Sequence, residues 1–198
     1  MSNGNIFVIS APSGAGKSSL VKSLCELDNK IRVSISHTTR PPRANEENGV
    51  DYFFISISEF NDMLKQQQFI EYAKVYDNYY GTHINTIKTL KQSGFDIILE
   101  IDYQGAMQIK DIFHEAILIY ILPPSLQELE RRLLLRNTDS QEIINSRLNM
   151  AREDISHACE FDYAVINDNF NTAVHHLYSI ILVQRLKAHN VLSGYEDA

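Results

Sequence analysis

The sequence predicts an α/β fold in which a parallel sheet is flanked by helices and carries a small β-rich insertion and a helical pair. Three observations support this. An apolar run, Ile6-Phe7-Val8-Ile9, passes through a glycine-rich turn directly into helical spacing at Ser19-Leu20-Val21-Lys22-Ser23-Leu24. Apolar runs at Asp96–Asp102, Ile117–Leu122 and Tyr163–Asp168 then alternate with helical patterns, the order that builds parallel βαβ crossovers. Between these regions, residues 34–82 break into short alternating segments and turns.

A chain of 198 residues suits one compact domain with insertions and is long enough to bury a substantial core. Its 25 acidic residues against 18 lysines and arginines give a net charge of −7, which argues against a nucleic-acid binder working through a general basic surface. Local clusters of positive charge are therefore informative. The N-terminus lacks a basic segment leading into an apolar stretch, and no window approaches the roughly 20 apolar residues of a membrane span, so a cytoplasmic protein with no membrane partner is expected. Cys25 and Cys159 each stand alone and read as free, buried thiols. His175 and His176 are adjacent, which on a helix points them about 100° apart, as surface residues.

The first predicted strand feeds Ala11-Pro12-Ser13-Gly14-Ala15-Gly16-Lys17-Ser18-Ser19. This fits the phosphate-loop pattern G-x-x-x-x-G-K-[ST], with Ala11 at the position of the first glycine. Gly14 and Gly16 let the backbone wrap tightly, so that amide N–H groups and the next helix N-terminus aim at anionic oxygens. Lys17 is placed to reach the outer phosphates, and the Ser18 hydroxyl to ligate Mg²⁺.

Arg32-Val33-Ser34-Ile35-Ser36 alternates as a second strand. It leads into residues 37–52, a long segment without helix or strand period in which Pro41 and Pro42 restrict the backbone presenting Arg40 and Arg43. Tyr52–Ile55 reads as a strand, Ser58–Leu64 as a short helix capped by Ser58, and Phe69–Tyr76 as an alternating strand that ends at Asp77-Asn78. Helical spacing resumes at Ile84–Leu90. The strand Asp96–Asp102 ends in carboxylates. In a doubly wound sheet ligands bind beyond the carboxyl ends of the strands, so Glu100 and Asp102 project towards the crevice of the phosphate loop. A helix over residues 104–113 and the strand Ile117–Leu122 follow, closed by Pro123-Pro124. Ser125 and Glu128 form a capping-box pattern for a helix carrying Arg131, Arg132 and Arg136, and a second helix over residues 141–157 carries Arg147 and Arg152. This pair is the second local cluster of positive charge. A last strand, Tyr163–Asp168, precedes an amphipathic helix over residues 172–187.

Taken together these residues resemble the guanylate kinase family from Ile6 to Lys187. The phosphate loop resembles the family's ATP site, in which alanine at the first position is a known variant. Ser34-Ile35-Ser36-His37-Thr38-Thr39-Arg40-Pro41-Pro42-Arg43, continuing through Glu46, Gly49 and Tyr52, is similar to the family's acceptor signature, with Asn78–Thr82 and Asp102–Ala106 completing it. The resemblance implies a P-loop NTPase-type sheet with three parts: a core of residues 1–33, 83–124 and 163–198 that binds ATP, a GMP-binding insertion of residues 34–82, and a lid of residues 125–162. It implies Mg²⁺-dependent transfer of the ATP γ-phosphoryl group to GMP, with dGMP as an alternative acceptor. Arg40, Arg43, Tyr52 and Tyr80 would clamp the acceptor phosphate. Glu71 and Asp102 would face the guanine donors, Ser36 and Thr82 would face O6, and Glu46 belongs to the same acceptor block. Lys17, Arg43, Arg132, Arg136 and Arg147 would neutralise the transferring phosphoryl group, and Asn167 would lie near the adenine of ATP. The chain departs from the family pattern at Asn45, at Leu135 and Asn137 beside Arg136, and at Glu100, where many relatives have aspartate. A catalytically silent module of the same fold would be expected to lack Lys17 or the lid arginines, and both are present.

Overall fold

The computed structural model describes residues 4–75, 77–135 and 141–195. Strand β1 (Ile6–Ser10) is followed by helix α1 (Lys17–Leu27) and β2 (Ile31–Val33). After residues 37–83, the chain runs through α3 (Ile84–Gln92), β7 (Asp96–Glu100), α4 (Tyr103–Ile112), β8 (Ile117–Leu122), α5 (Leu126–Leu135), α6 (Gln141–Ser156) and a 3-10 turn, His157–Glu160. It ends with β9 (Tyr163–Ile166), α7 (Phe170–Arg185) and α8 (Ala188–Tyr195). The five core strands are parallel in the order β2-β7-β1-β8-β9, so the sheet is the one the sequence predicts.

The strands are apolar on both faces because each face is covered by helices. Side chains alternate across a strand, and Phe7 and Ile9 of β1 enter one core with Leu20, Leu24, Leu177 and Ile181 of α1 and α7. Ile6 and Val8 enter the opposite core with Ile87, Ala106 and Ile109 of α3 and α4. A third cluster, Leu129 and Leu133 with Ile144, Leu148 and Ala151, holds α5 against α6. The α6 end is tied to α4, where the Tyr103 ring stacks on His157 with 3.9 Å between centroids and the Tyr103 hydroxyl donates to Glu160 at 2.8 Å.

Residues 37–83 build a second sheet in the order β4-β3-β6-β5, from β3 (His37–Thr38), β4 (Phe53–Phe54), β5 (Phe69–Val75) and β6 (Asn78–His83), with α2 (Ile57–Lys65) between β4 and β5. The alternating stretch 32–36 is strand only as far as Val33. Ser34 still donates its N–H to Ile98, and the chain then crosses to the second sheet at His37. The cap of α2 is Ser56, not Ser58: its side chain accepts from Glu59 N–H and Glu59 returns the bond, a complete capping box. At α5, Ser125 Oγ accepts from Glu128 N–H at 3.0 Å, while the Glu128 carboxylate takes Arg131 and Arg132. Cys25 is half-buried, and Cys159 is exposed rather than buried. His175 and His176 are both exposed. No described helix is long and apolar enough to cross a membrane.

Candidate active site

The carboxyl ends of β1 and β7 open into a cleft of about 510 Å³ that reaches from the phosphate loop to the second sheet and α6. β1 passes into the loop at Ser10, and α1 begins after Gly16, whose φ of 94° is left-handed and which carries no side-chain cap. The N–H groups of the first turn of α1 therefore face the cleft without a capping acceptor, which suits an anion. Gly16 is also required by close approach, since a Cβ there would lie 2.5 Å from Asn167 Nδ2. Asn167 is buried and supports the loop from behind, donating to the Ala15 carbonyl at 2.7 Å. Ala11, Pro12, Ser13, Gly14, Gly16, Lys17, Ser18 and Ser19 line the cleft, whereas Ala15 is buried beneath it.

Lys17 Nζ donates to the Ile101 carbonyl at 3.3 Å. Burial pushes its ammonium below the ordinary lysine value, against the opposing pull of Glu100, Asp102, Glu71 and Asp154. Ser18 Oγ donates to Glu100 Oε2 at 2.9 Å, which puts a hydroxyl and a carboxylate side by side at the phosphate end of the cleft. Among the described residues no group of three or more His, Cys, Asp or Glu side chains could hold a metal. Two hard oxygen donors without a protein cage suit Mg²⁺, which keeps several waters and takes its remaining ligands from phosphates.

On the second sheet, β5 and β6 pair Glu71 with Thr82. Glu71 is 3% exposed, and the Thr82 hydroxyl donates to its carboxylate. Burial pushes the Glu71 pKa up to about 7; the Thr82 bonds work against this and Asp102 adds to it. Asp102 is the N-cap of α4, accepting from Gly105 N–H at 2.9 Å. A Cβ on Gly105 would stand 2.6 Å from Glu71 Oε2, so the glycine makes room for the carboxylate. Ser36, also buried, lines the cleft nearby.

The cleft is also lined by the arginines of the 37–52 segment. Glu46 holds Arg40 through two bonds of 2.9 and 2.8 Å and accepts from Arg43 N–H at 2.8 Å. Burial raises the Glu46 carboxyl, but Arg40 and Arg43 outweigh it and keep its pKa below the usual range. The Arg40 guanidinium lies 5.5 Å from the centre of the Tyr52 ring, and Tyr52 meets Tyr80 edge-on at 6.0 Å. Burial pushes the Tyr52 hydroxyl up to about 12, so it stays protonated as a donor. Arg40, Arg43, Tyr52 and Tyr80 all line the cleft.

The helical pair contributes unevenly. Arg147 lines the cleft from α6. Arg132 does not; it donates to Glu128 at 2.8 Å and to the Asn167 carbonyl at 3.1 Å. Arg136 lies outside the described residues. Sequence reasoning missed Met150 and Asp154, which also line the cleft from α6. The available signal was the i, i+3, i+7 spacing of Arg147, Met150 and Asp154, which puts all three on one helix face.

A family model described as guanylate kinase matches residues 3–184. Guanylate kinase of Methylobacillus flagellatus is 48% identical over 194 residues, covering 98% of this chain and 96% of the relative. That of a Polaromonas species is 52% identical over 184 residues, covering 93% and 89%. The crystal structure of guanylate kinase from Anaplasma phagocytophilum superposes with a TM-score of 0.80 at 30% identity, covering 94% of this chain and 89% of the other. On similarity of this extent, the chain belongs to the guanylate kinase family.

Proposed function

We propose that the cleft transfers the γ-phosphoryl group of ATP to GMP, giving ADP and GDP, with Mg²⁺. One observation carries this reading: a single cleft is lined by a phosphate loop, by two neighbouring carboxylates, Glu71 and Asp102, and by a cluster of arginines and tyrosines. In this assignment residues 1–33, 83–124 and 163–198 hold the donor, residues 34–82 the acceptor, and residues 125–162 form the lid.

The acceptor needs little activation, because the attacking phosphate oxygen is already an anion. The protein must align two mutually repelling anions and neutralise the charge that develops between them. Lys17 and the amides of the loop meet the donor phosphates. Ser18, with Glu100 beside it, would hold Mg²⁺, which when bound offsets negative charge on the phosphate oxygens. Arg40, Arg43, Tyr52 and Tyr80 bind the acceptor phosphate, and Glu46 positions the two arginines. Arg147, which lines the cleft from α6, is assigned to the transferring phosphoryl group; Arg132, held by Glu128 and the Asn167 carbonyl, would have to leave those partners to join it, and closure of the lid would exclude water.

Guanine offers N1–H and an exocyclic amine as donors beside the O6 acceptor. Glu71 and Asp102 accept from those donors, and Ser36 donates to O6. Thr82 spends its hydroxyl on Glu71 and so acts through that carboxylate. Adenine would set an acceptor opposite a carboxylate, and a hydrogen-bonding site rejects such a mismatch by up to about 10⁴-fold. Asn167 acts on the ATP side by holding the loop. The test is ADP release with ATP, Mg²⁺ and each nucleoside monophosphate in turn. Turnover with GMP and at most trace turnover with AMP is expected; equal rates, or none with GMP, would refute the assignment.

A further inference from the structure

Helix α6 shows two stripes. Ile144, Leu148 and Ala151 pack against α5, and beside them Arg147, Met150 and Asp154 fall within about 60° of one another and line the cleft. Arg147 suits a phosphate and Met150 an apolar surface, but a carboxylate over a cleft for two polyanions needs a reason. Asp154 is half-buried, and among the described residues no hydrogen bond reaches its side chain. Burial raises its carboxyl, as do Asp102 and Glu153, while His157 and Lys17 oppose the rise. The carboxylate thus lines the cleft together with Asp102 and Lys17, and among the described residues no protein donor stabilises it.

We infer that Asp154 is a specificity-determining residue that accepts a hydrogen bond from a ribose hydroxyl of the acceptor nucleotide. This rests on the reading of GMP as the acceptor. The donors on that ligand are few. Those of guanine are taken by Glu71 and Asp102, and the phosphate dianion has none, so the ribose hydroxyls are the donors left over. The ribose joins the base to the acceptor phosphate, and Asp154 lines the same cleft as the residues assigned to both. A carboxylate is a fitting partner, since it can take vicinal hydroxyls with both oxygens, as acidic residues do for the ribose of bound dinucleotides. The ribose of ATP is excluded by position: Lys17 serves the outer phosphates of the donor, so the adenosine end lies on the far side of the loop.

The experiment measures initial rates of ADP release with GMP, 2′-deoxy-GMP and 3′-deoxy-GMP for the wild-type chain, Asp154→Ala and Asp154→Asn, with melting temperatures of all three. A hydrogen bond to a charged acceptor predicts a wild-type preference for GMP over at least one deoxy analogue of about tenfold or more in kcat/KM. That preference should collapse to within about twofold in Asp154→Ala, and Asp154→Asn, which keeps one acceptor oxygen and nearly the same volume, should retain part of it. Equal losses on all three acceptors would make Asp154 a partner of Lys17 or of the metal and overturn the inference. A wild-type chain that does not distinguish GMP from either analogue would overturn it as well. A wild-type chain inactive with GMP would instead refute the acceptor assignment, an outcome distinct from both.

Discussion

Replacing Glu71 by glutamine should stabilise the empty protein while impairing the enzyme. The carboxyl titrates near pH 7 in the folded chain against 4.5 as its ordinary value, because it is buried. A folded-state pKa that is raised means the native protein binds the proton more tightly than the unfolded chain. The stabilisation is complete below pH 4.5 and is lost as pH rises to about 7. At about 1.4 kcal/mol for each pH unit between the two values, ionised Glu71 costs the empty fold about 3 kcal/mol at pH 8 and about 1 kcal/mol at pH 5. Glutamine has nearly the same shape, never ionises, and presents a carbonyl that still accepts from Thr82. The variant should therefore melt higher than the wild type by about 6–12 °C at pH 8, with the gap narrowing steadily towards pH 5. In the same protein GMP binding should weaken by about ten- to a hundredfold, since an amide nitrogen faces guanine donors where a charged acceptor stood. Calorimetric melting across pH 5 to 8, with GMP titration at pH 8, reads both effects. A melting difference independent of pH, or a glutamine variant that is less stable at pH 8 than at pH 5 relative to wild type, would refute the placement of an ionisable, buried carboxyl at this position.

Gly105→Ala adds a methyl group 2.6 Å from Glu71 Oε2 and 3.3 Å from Ile101 Cδ1, so Glu71 must move. Alanine favours the helix by about 1 kcal/mol, which protects the fold, and KM for GMP should rise about tenfold with KM for ATP within about twofold. Steady-state kinetics with each substrate varied checks this; an unaltered KM for GMP would remove Glu71 from the base contact. Glu46→Ala frees Arg40 and the Arg43 N–H, and should raise KM for GMP by about tenfold with the phosphate clamp unpositioned. Glu46→Gln, still an acceptor for one donor, should recover part of the loss in the same assay, and equal behaviour of the two variants would contradict the positioning role.

Legibility in the sequence followed the range of the interactions. The phosphate loop and the strands around it were readable because their determinants are local: glycines at fixed offsets, and continuous apolar runs where two helical layers cover the sheet. The cap of α2 was readable too, since Ser56 and Glu59 have capping-box spacing and Ser58 does not, yet two nearby serines obscured it. Helix α8 was missed because Asn190, Ser193 and Gly194 are weak helix formers. The long-range features were out of reach. Nothing local shows that Thr82 would give its hydroxyl to Glu71, that Asn167 would hold the loop at Ala15, or that Arg132 would turn towards Asn167. Asp154 was hidden for another reason: beside Glu153 on an amphipathic helix it looks like solvated charge, and only the cleft below α6 distinguishes the two.

The cleft as a whole carries more carboxylate than a site for two polyanions would be expected to tolerate. Glu71, Glu100, Asp102 and Asp154 all act on the single amine of Lys17. The distribution explains the excess. Arginines and tyrosines collect where the acceptor phosphate is assigned and Glu71 and Asp102 where the base is assigned, while Glu100 stands beside Ser18 where Mg²⁺ is assigned, so the acceptor part of the cleft is a charge complement of a ligand with a dianion at one end and hydrogen-bond donors at the other. Any nucleoside monophosphate could satisfy the arginines. Only a base rich in donors compensates the buried carboxylate of Glu71, whose ionisation the empty protein resists. On the proposed assignment selectivity comes from the acidic end, through Glu71, whose burial disfavours the unliganded state, and the cationic end supplies affinity that is common to all monophosphates.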